Sequence, residues 1–117
     1  MDELGEQLAG WGKVIRLTTH GRVTGRPLEV ALGYVEEADG SLLVAAGTPE
    51  SDWARNLDAD PSCSVVVGEV IWAKAVAEPL DGPDAQRAVR ALILRYGTPA
   101  ERLGRGPAYR LRRAVAG

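Results

Sequence analysis

The chain has 117 residues, of which 45% are apolar and 26% charged, with a formal net charge of −2. That is material for one hydrophobic core, so a single domain over residues 1–117 is expected; a disordered chain is excluded, and no apolar run nears the roughly 20 residues that cross a bilayer. The near-neutral charge argues against wholesale attraction to nucleic acid. One cysteine (Cys63) and one histidine (His20) can build neither an internal disulfide nor a four-ligand zinc site, so no metal is expected.

The N-terminal Met1-Asp2-Glu3-Leu4 lacks the basic, apolar, small-residue order of a secretory leader, which points to the cytoplasm. Leu4, Leu8 and Trp11 predict a short amphipathic helix closed by Gly10 and Gly12. Val14, Ile15 and Leu17, set against Arg16 and Thr18, predict a strand over 13–19. Gly21-Arg22-Val23-Thr24-Gly25-Arg26-Pro27 then reads as a tight turn. Its glycines can turn amides toward one point, Thr24 adds a hydroxyl, and two guanidinium groups suit phosphate or carboxylate oxygens. The same residues also suit an ordinary polar hairpin with two solvated arginines. His20, a loop histidine with no acid close in sequence, reads as incidental rather than catalytic.

A second strand is expected from Pro27 through Val35, then an Asp39-Gly40 hairpin turn and a third strand over 42–46, the three lying side by side. The loop 47–52 ends in residues able to cap a helix over 53–59, stopped before Pro61. Trp53, Asn56 and Leu57 share one face of that helix. An aromatic ring there suits a core, whereas a buried amide must find backbone or ligand partners.

A fourth strand is expected over 62–67, with Cys63 a small buried residue rather than a reactive thiol. After a turn at Gly68-Glu69 comes a fifth over 70–78, with Ile71, Ala73, Ala75 and Ala77 on one face, as if packed closely under a lid or partner, and Trp72, Lys74 and Val76 on the other. Pro79 to Pro83 breaks the pattern. Ala85, Ala88, Val89, Leu92, Ile93 and Tyr96 predict a long helix over 84–96, and a last strand is expected over 109–115. Every charge between Glu6 and Glu29 is positive, as is every charge after Glu101, a distribution fitting a local anionic ligand; the C-terminal cluster fits a solvated basic face equally. No paired carboxylates, activated nucleophile or metal cluster is visible, so no catalytic residue is assigned. The elements add up to an α+β fold built on a small barrel-like antiparallel sheet.

The run Leu17-Thr18-Thr19-x-Gly21-Arg22-x-Thr24-Gly25-Arg26-Pro27, followed in order by Ser51-Asp52-Trp53-Ala54-Arg55-Asn56-Leu57-Asp58-Ala59-Asp60-Pro61, resembles the deazaflavin-dependent nitroreductase family. The resemblance runs from about Val14 to Tyr96. It implies an FMN-binding-type split β-barrel with one long and one or two short helices, a homodimer, and coenzyme F420 as cofactor. The implied reaction is hydride transfer from reduced F420 to a small electron-poor molecule such as a quinone, nitroaromatic or enone. Carried over, Arg22, Thr24, Gly25, Arg26 and Pro27 would hold the cofactor's phosphate and the start of its polyglutamate tail. Ala45, Ala46 and Asp52 would line the ring, with Trp53 and Asn56 orienting the short helix; Trp72, Tyr96 and Tyr109 offer wall groups. Val23, Leu28 and Ala54 stand where many relatives carry basic, polar or aromatic residues. The alternatives are therefore an FMN-binding oxidoreductase or a non-catalytic cofactor-binding protein of the same fold.

Overall fold

The computed structural model describes residues 14–96 and 106–114, in which seven antiparallel strands form one sheet. The strands are β1 (Val14–His20), β2 (Pro27–Gly33), β3 (Val35–Glu36), β4 (Leu42–Ala45), β5 (Ser62–Val67), β6 (Val70–Leu80) and β7 (Ala108–Arg113), with helices α1 (Asp52–Ala59) and α2 (Gly82–Tyr96). The helix expected over 4–11 lies outside the described residues.

The strand order is β2-β1-β5-β6-β7-β4-β3, which puts β2 and β3 at opposite edges. A single residue, Tyr34, separates those two strands in sequence, so the sheet must curl until its edges meet. The expected second strand through Val35 is thus two strands in two ladders. The expected side-by-side trio is also corrected: β1 pairs with β2 and β5, whereas β4 pairs with β3 and β7. At the crossing, the Tyr96 hydroxyl on α2 accepts the Tyr34 N–H at 3.0 Å and donates to the Tyr34 C=O at 3.2 Å. Gly33 allows this approach, because a Cβ there would sit 3.0 Å from the Tyr96 ring. The Arg95 guanidinium lies 4.6 Å from the Tyr34 ring centre and covers the same corner.

Period-two alternation divides the core. Ile15, Leu17, Val44, Val65, Tyr109 and Leu111 fill the barrel, while Leu43, Ala45 and Ala108 face outward under Ala88 and Leu92 of α2. β4 is covered on both faces, which explains its unbroken apolar sequence.

On β6 the register slips, so that Ala73 and Lys74 together oppose the single residue Ser64. The expected faces therefore change partners at this bulge: Trp72 packs on the same core as Ala75 and Ala77, while Ile71 and Ala73 face outward. β6 also continues through Pro79, beyond the expected stop. Pairing with β5 ends at Val76, so among the described strands Pro79 has only β7 alongside and its missing N–H leaves no ladder bond unmade.

The C-terminal basic residues of β7 face acids. Arg110 Nε bonds Glu37 Oε1 at 2.9 Å, and Arg112 reaches Glu78 and Asp39, each at 3.1 Å. Folding brings the acidic hairpin beside the basic strand, so these two cations are answered within the chain.

Candidate cofactor-binding turn

The turn between β1 and β2 is anchored at its base and open at its tip. Gly21 N–H donates to Arg26 C=O at 2.8 Å, and Gly25 N–H to Gly21 C=O at 2.8 Å. Arg26 N–H donates to Thr24 Oγ1 at 3.2 Å. Gly25 has φ +75°, a backbone setting that disfavours a side chain. These three amides therefore serve the turn itself. Thr24, Arg26 and Pro27 are exposed, and Val23 is 88% exposed at the tip.

Helix α1 grips the other side. Asn56, on the helix face that meets the sheet, is only 3% exposed. Its Oδ1 accepts two bonds from Arg22, from the backbone N–H at 3.2 Å and from Nη1 at 2.8 Å. Its Nδ2 donates to Thr19 Oγ1 at 3.0 Å. Arg22 Nη2 also pairs with Asp52 Oδ1 at 3.1 Å, in the first turn of α1. The amide that required partners thus finds them in Arg22 and Thr19, and Arg22 ties turn to helix. Arg26 has no acidic partner among the described residues.

The structure brings Arg22, Asp52 and Asn56 together, keeps Thr24, Gly25, Arg26 and Pro27 in the same turn, and places Ala45, Ala46 and Trp53 in the core. Trp53 turns into the core, edge-on to Tyr109 with ring centres 5.8 Å apart. Ala45 faces α2 and Ala46 joins the barrel core, so the two alanines do not share a surface. Beyond them Gly47 borders open space. Of the wall groups, Tyr109 donates to Asp58 Oδ1 at 2.8 Å and Ala54 C=O at 3.1 Å. Burial, reinforced by Asp58, pushes its phenol above the ordinary range. Tyr96 is engaged with Tyr34 and Trp72 is half-buried, so neither tyrosine offers an uncommitted hydroxyl. Thr19 is the site residue that sequence reasoning missed; its signal was a hydroxyl at an inward position in line with Ile15 and Leu17.

Cys63 is buried, and burial followed by the nearby Asp60 charge pushes its thiol up to about 11. Among the described residues, no three or more His, Cys, Asp or Glu side chains cluster as metal ligands would, and no helix is long and apolar enough to cross a membrane.

A curled antiparallel barrel closed by one long helix, with a glycine–arginine turn seated on a short helix, defines a split-barrel fold. The chain belongs to the F420H2-dependent quinone reductase family, whose model matches residues 2–103. It is similar in structure to an F420-H2 dependent reductase (FDR-A), with TM-score 0.73 and 25% identity over 86% of this chain and 94% of that one. A second similar structure is described as a domain-swapped dimer, with TM-score 0.72 and 23% identity over 94% and 95% of the two chains. A third is HutZ, a haem storage protein from Vibrio cholerae, with TM-score 0.71 and 19% identity over 95% and 88%. The last two likenesses show the fold alone. None of the curated proteins matches the chain in sequence.

The protein is accordingly an oxidoreductase, an F420H2-dependent quinone reductase, and F420 is its cofactor. The turn's chemistry fits that group. F420 carries a phosphate and a string of carboxylates, and an exposed arginine with no acidic partner among the described residues, in one turn with a threonine hydroxyl, is a matching donor set.

Proposed function

We propose that this chain works as a cytoplasmic, single-domain, homodimeric reductase that passes a hydride from F420H2 to a small electron-poor acceptor of the quinone, nitroaromatic or enone class. Bound F420H2 supplies the hydride, and the acceptor takes up that hydride and one proton. The protein's part is positioning. Arg26 and the Thr24 hydroxyl hold the anionic arm, the Arg22–Asn56 contact fixes the turn that carries them, and solvent provides the proton, since the Tyr96 and Tyr109 hydroxyls are held by internal acceptors.

The observation that carries this reading is the pinned turn: Arg22 is committed to Asn56 and Asp52, and Arg26 is exposed with no acid beside it among the described residues. Homodimerisation draws support from the structural relative described as a dimer and from the exposed Val70, Ile71 and Val76 on β6. Titration with F420 and FMN side by side tests the cofactor, and oxidation of F420H2 by menadione tests the reaction. Saturable F420 binding with quinone-dependent oxidation is expected; FMN binding in its place would overturn the reading. Sedimentation should give a dimer at micromolar concentration, and a monomer alone would remove the dimer.

A further inference from the structure

Strand β7 carries three arginines in unlike surroundings. Arg110 and Arg112 share the side of the strand that meets acids, Glu37 for the first, Glu78 and Asp39 for the second. Arg113 falls on the other side, in line with Tyr109 and Leu111 of the barrel core and opposite Ala75 on β6. It is exposed and has no acidic partner among the described residues. An inward-facing file of the barrel thus ends on a cation rather than on an apolar side chain.

Arg113 lines a cavity of about 250 Å³ together with Trp72, Arg112 and the hairpin tip Asp39-Gly40-Ser41. Trp72 is half-buried, packed on the core from one side. Its indole N–H meets no acceptor among the described residues, and none of their buried side-chain polar atoms lacks a partner, so that N–H is open to solvent. The hairpin tip leaves the mouth clear, because a Cβ on Gly40 would meet nothing within 4 Å. The acids here are already answered. Asp39 accepts the Ser41 N–H at 2.9 Å and the Ser41 hydroxyl at 2.6 Å, and pairs with Arg112 Nη1 at 3.1 Å; Glu78 pairs with Arg112 Nε at 3.1 Å. Arg112 serves both carboxylates, which leaves Arg113 with no opposite charge beside it among the described residues. Neither the cofactor turn nor α1 contributes to these lining residues.

We propose that the Trp72–Arg113 cavity is a second binding site, separate from the cofactor turn, for a small planar aromatic carboxylate. The ring lies on the Trp72 indole and the carboxylate takes the Arg113 guanidinium, whose planar fork matches its two oxygens. A neutral quinone would leave Arg113 without a counter-charge, and an aliphatic glutamyl chain has no ring to lay on the indole. The volume, below the ~300–1,000 Å³ of sites for drug-sized molecules, restricts the ligand to a small ring system. The site stands independently of how F420 is held.

The test is calorimetric titration of the full chain with three probes: naphthoate, naphthol, which has the ring without the carboxylate, and acetate, which has the carboxylate without the ring. Naphthoate should bind tightest, about fivefold better than naphthol, the scale of an exposed ion pair. Arg113→Gln should bring naphthoate down to the level of naphthol and leave naphthol binding as it was, and Arg113→Lys should restore part of the difference. Trp72→Phe should weaken both aromatic probes. F420 affinity should be the same in wild type and in the two Arg113 variants. Equal affinity for naphthoate and naphthol, binding of acetate as tight as naphthoate, or naphthoate affinity unchanged in Arg113→Gln overturns the site. Displacement of naphthoate by F420 overturns it as a separate cavity, whereas simultaneous binding of the two supports it.

Discussion

Arg22 meets Asn56 twice: its backbone N–H and its guanidinium both converge on Asn56 Oδ1, at 3.2 and 2.8 Å. One buried amide therefore fixes both the course of the turn and the direction of its first arginine. With Asn56 Nδ2 on Thr19 Oγ1, it also joins β1 to α1.

This contact separates two arginines that look equivalent in sequence. Asn56→Ala should cost about 1–3 kcal/mol of stability, because it orphans buried polar groups on Arg22 and Thr19. Arg22→Ala should lower both the unfolding midpoint and F420 affinity. Arg26→Ala should leave the midpoint unchanged and weaken F420 binding about tenfold or more, as a lost charge-assisted bond would. Denaturant melts and F420 titrations on the three variants check the split; identical behaviour of the two arginine variants would refute it.

Tyr96→Phe removes the hydroxyl that serves both the N–H and the C=O of Tyr34, so a loss of about 1–3 kcal/mol is expected in equilibrium unfolding. Gly33→Ala places a methyl group against the same ring and should destabilise as well. In the double variant Gly33→Ala/Tyr96→Ala, where the ring is gone, the Gly33→Ala penalty should shrink.

Stability should fall in alkali. The Cys63 thiol, ordinarily near 9.0, is pushed up to about 11 by burial and the Asp60 charge. Above pH 9 the unfolded chain ionises and the folded one does not, so stability declines until about pH 11 and then levels. Tyr109 acts in the same sense at higher pH, since its phenol is also raised. Cys63→Ala should flatten the pH 9–11 portion of the stability profile relative to wild type.

At the acid end Asp39 acts with the opposite sign. Hydrogen bonds from Ser41 hold its carboxyl down at about 2, against an ordinary 3.8, with Arg112 contributing less. Its contribution is fully present above pH 4 and disappears as pH falls through about 2. Asp39→Asn should remove that part of the acid dependence, and a profile identical to wild type between pH 4 and 2 would contradict the assignment.

Elements governed by neighbours in sequence were legible, and features set by distant partners were not. The strand over 62–67 matches β5 residue for residue, because its inward Cys63 and Val65 and the turn after Val67 are local signals. The Asp39-Gly40 turn behaves likewise, with Gly40 at φ +87°. The break at Tyr34 was hidden because its cause, Tyr96, lies 62 positions along the chain. The β6 bulge was hidden too, since nothing in Ala73-Lys74 announces that the pair will face one residue of β5. At the site, the demand that Asn56 find partners could be read, but their identity could not. It took the packing of β1 against α1 to show that Thr19 and Arg22 supply them, and that Arg22 is committed to α1 while Arg26 has no acidic partner among the described residues.

The crossing at Tyr34 also bears on where the backbone can be cut. Because a single peptide unit joins two ladders, severing the chain there would release both sheet margins together and leave the cylinder unsealed. A break at Asp39-Gly40 would only lengthen a solvent-facing hairpin tip. New termini should accordingly be tolerated at the tip and rejected at the seam, and amide protons flanking Tyr34 should exchange only when the whole molecule opens.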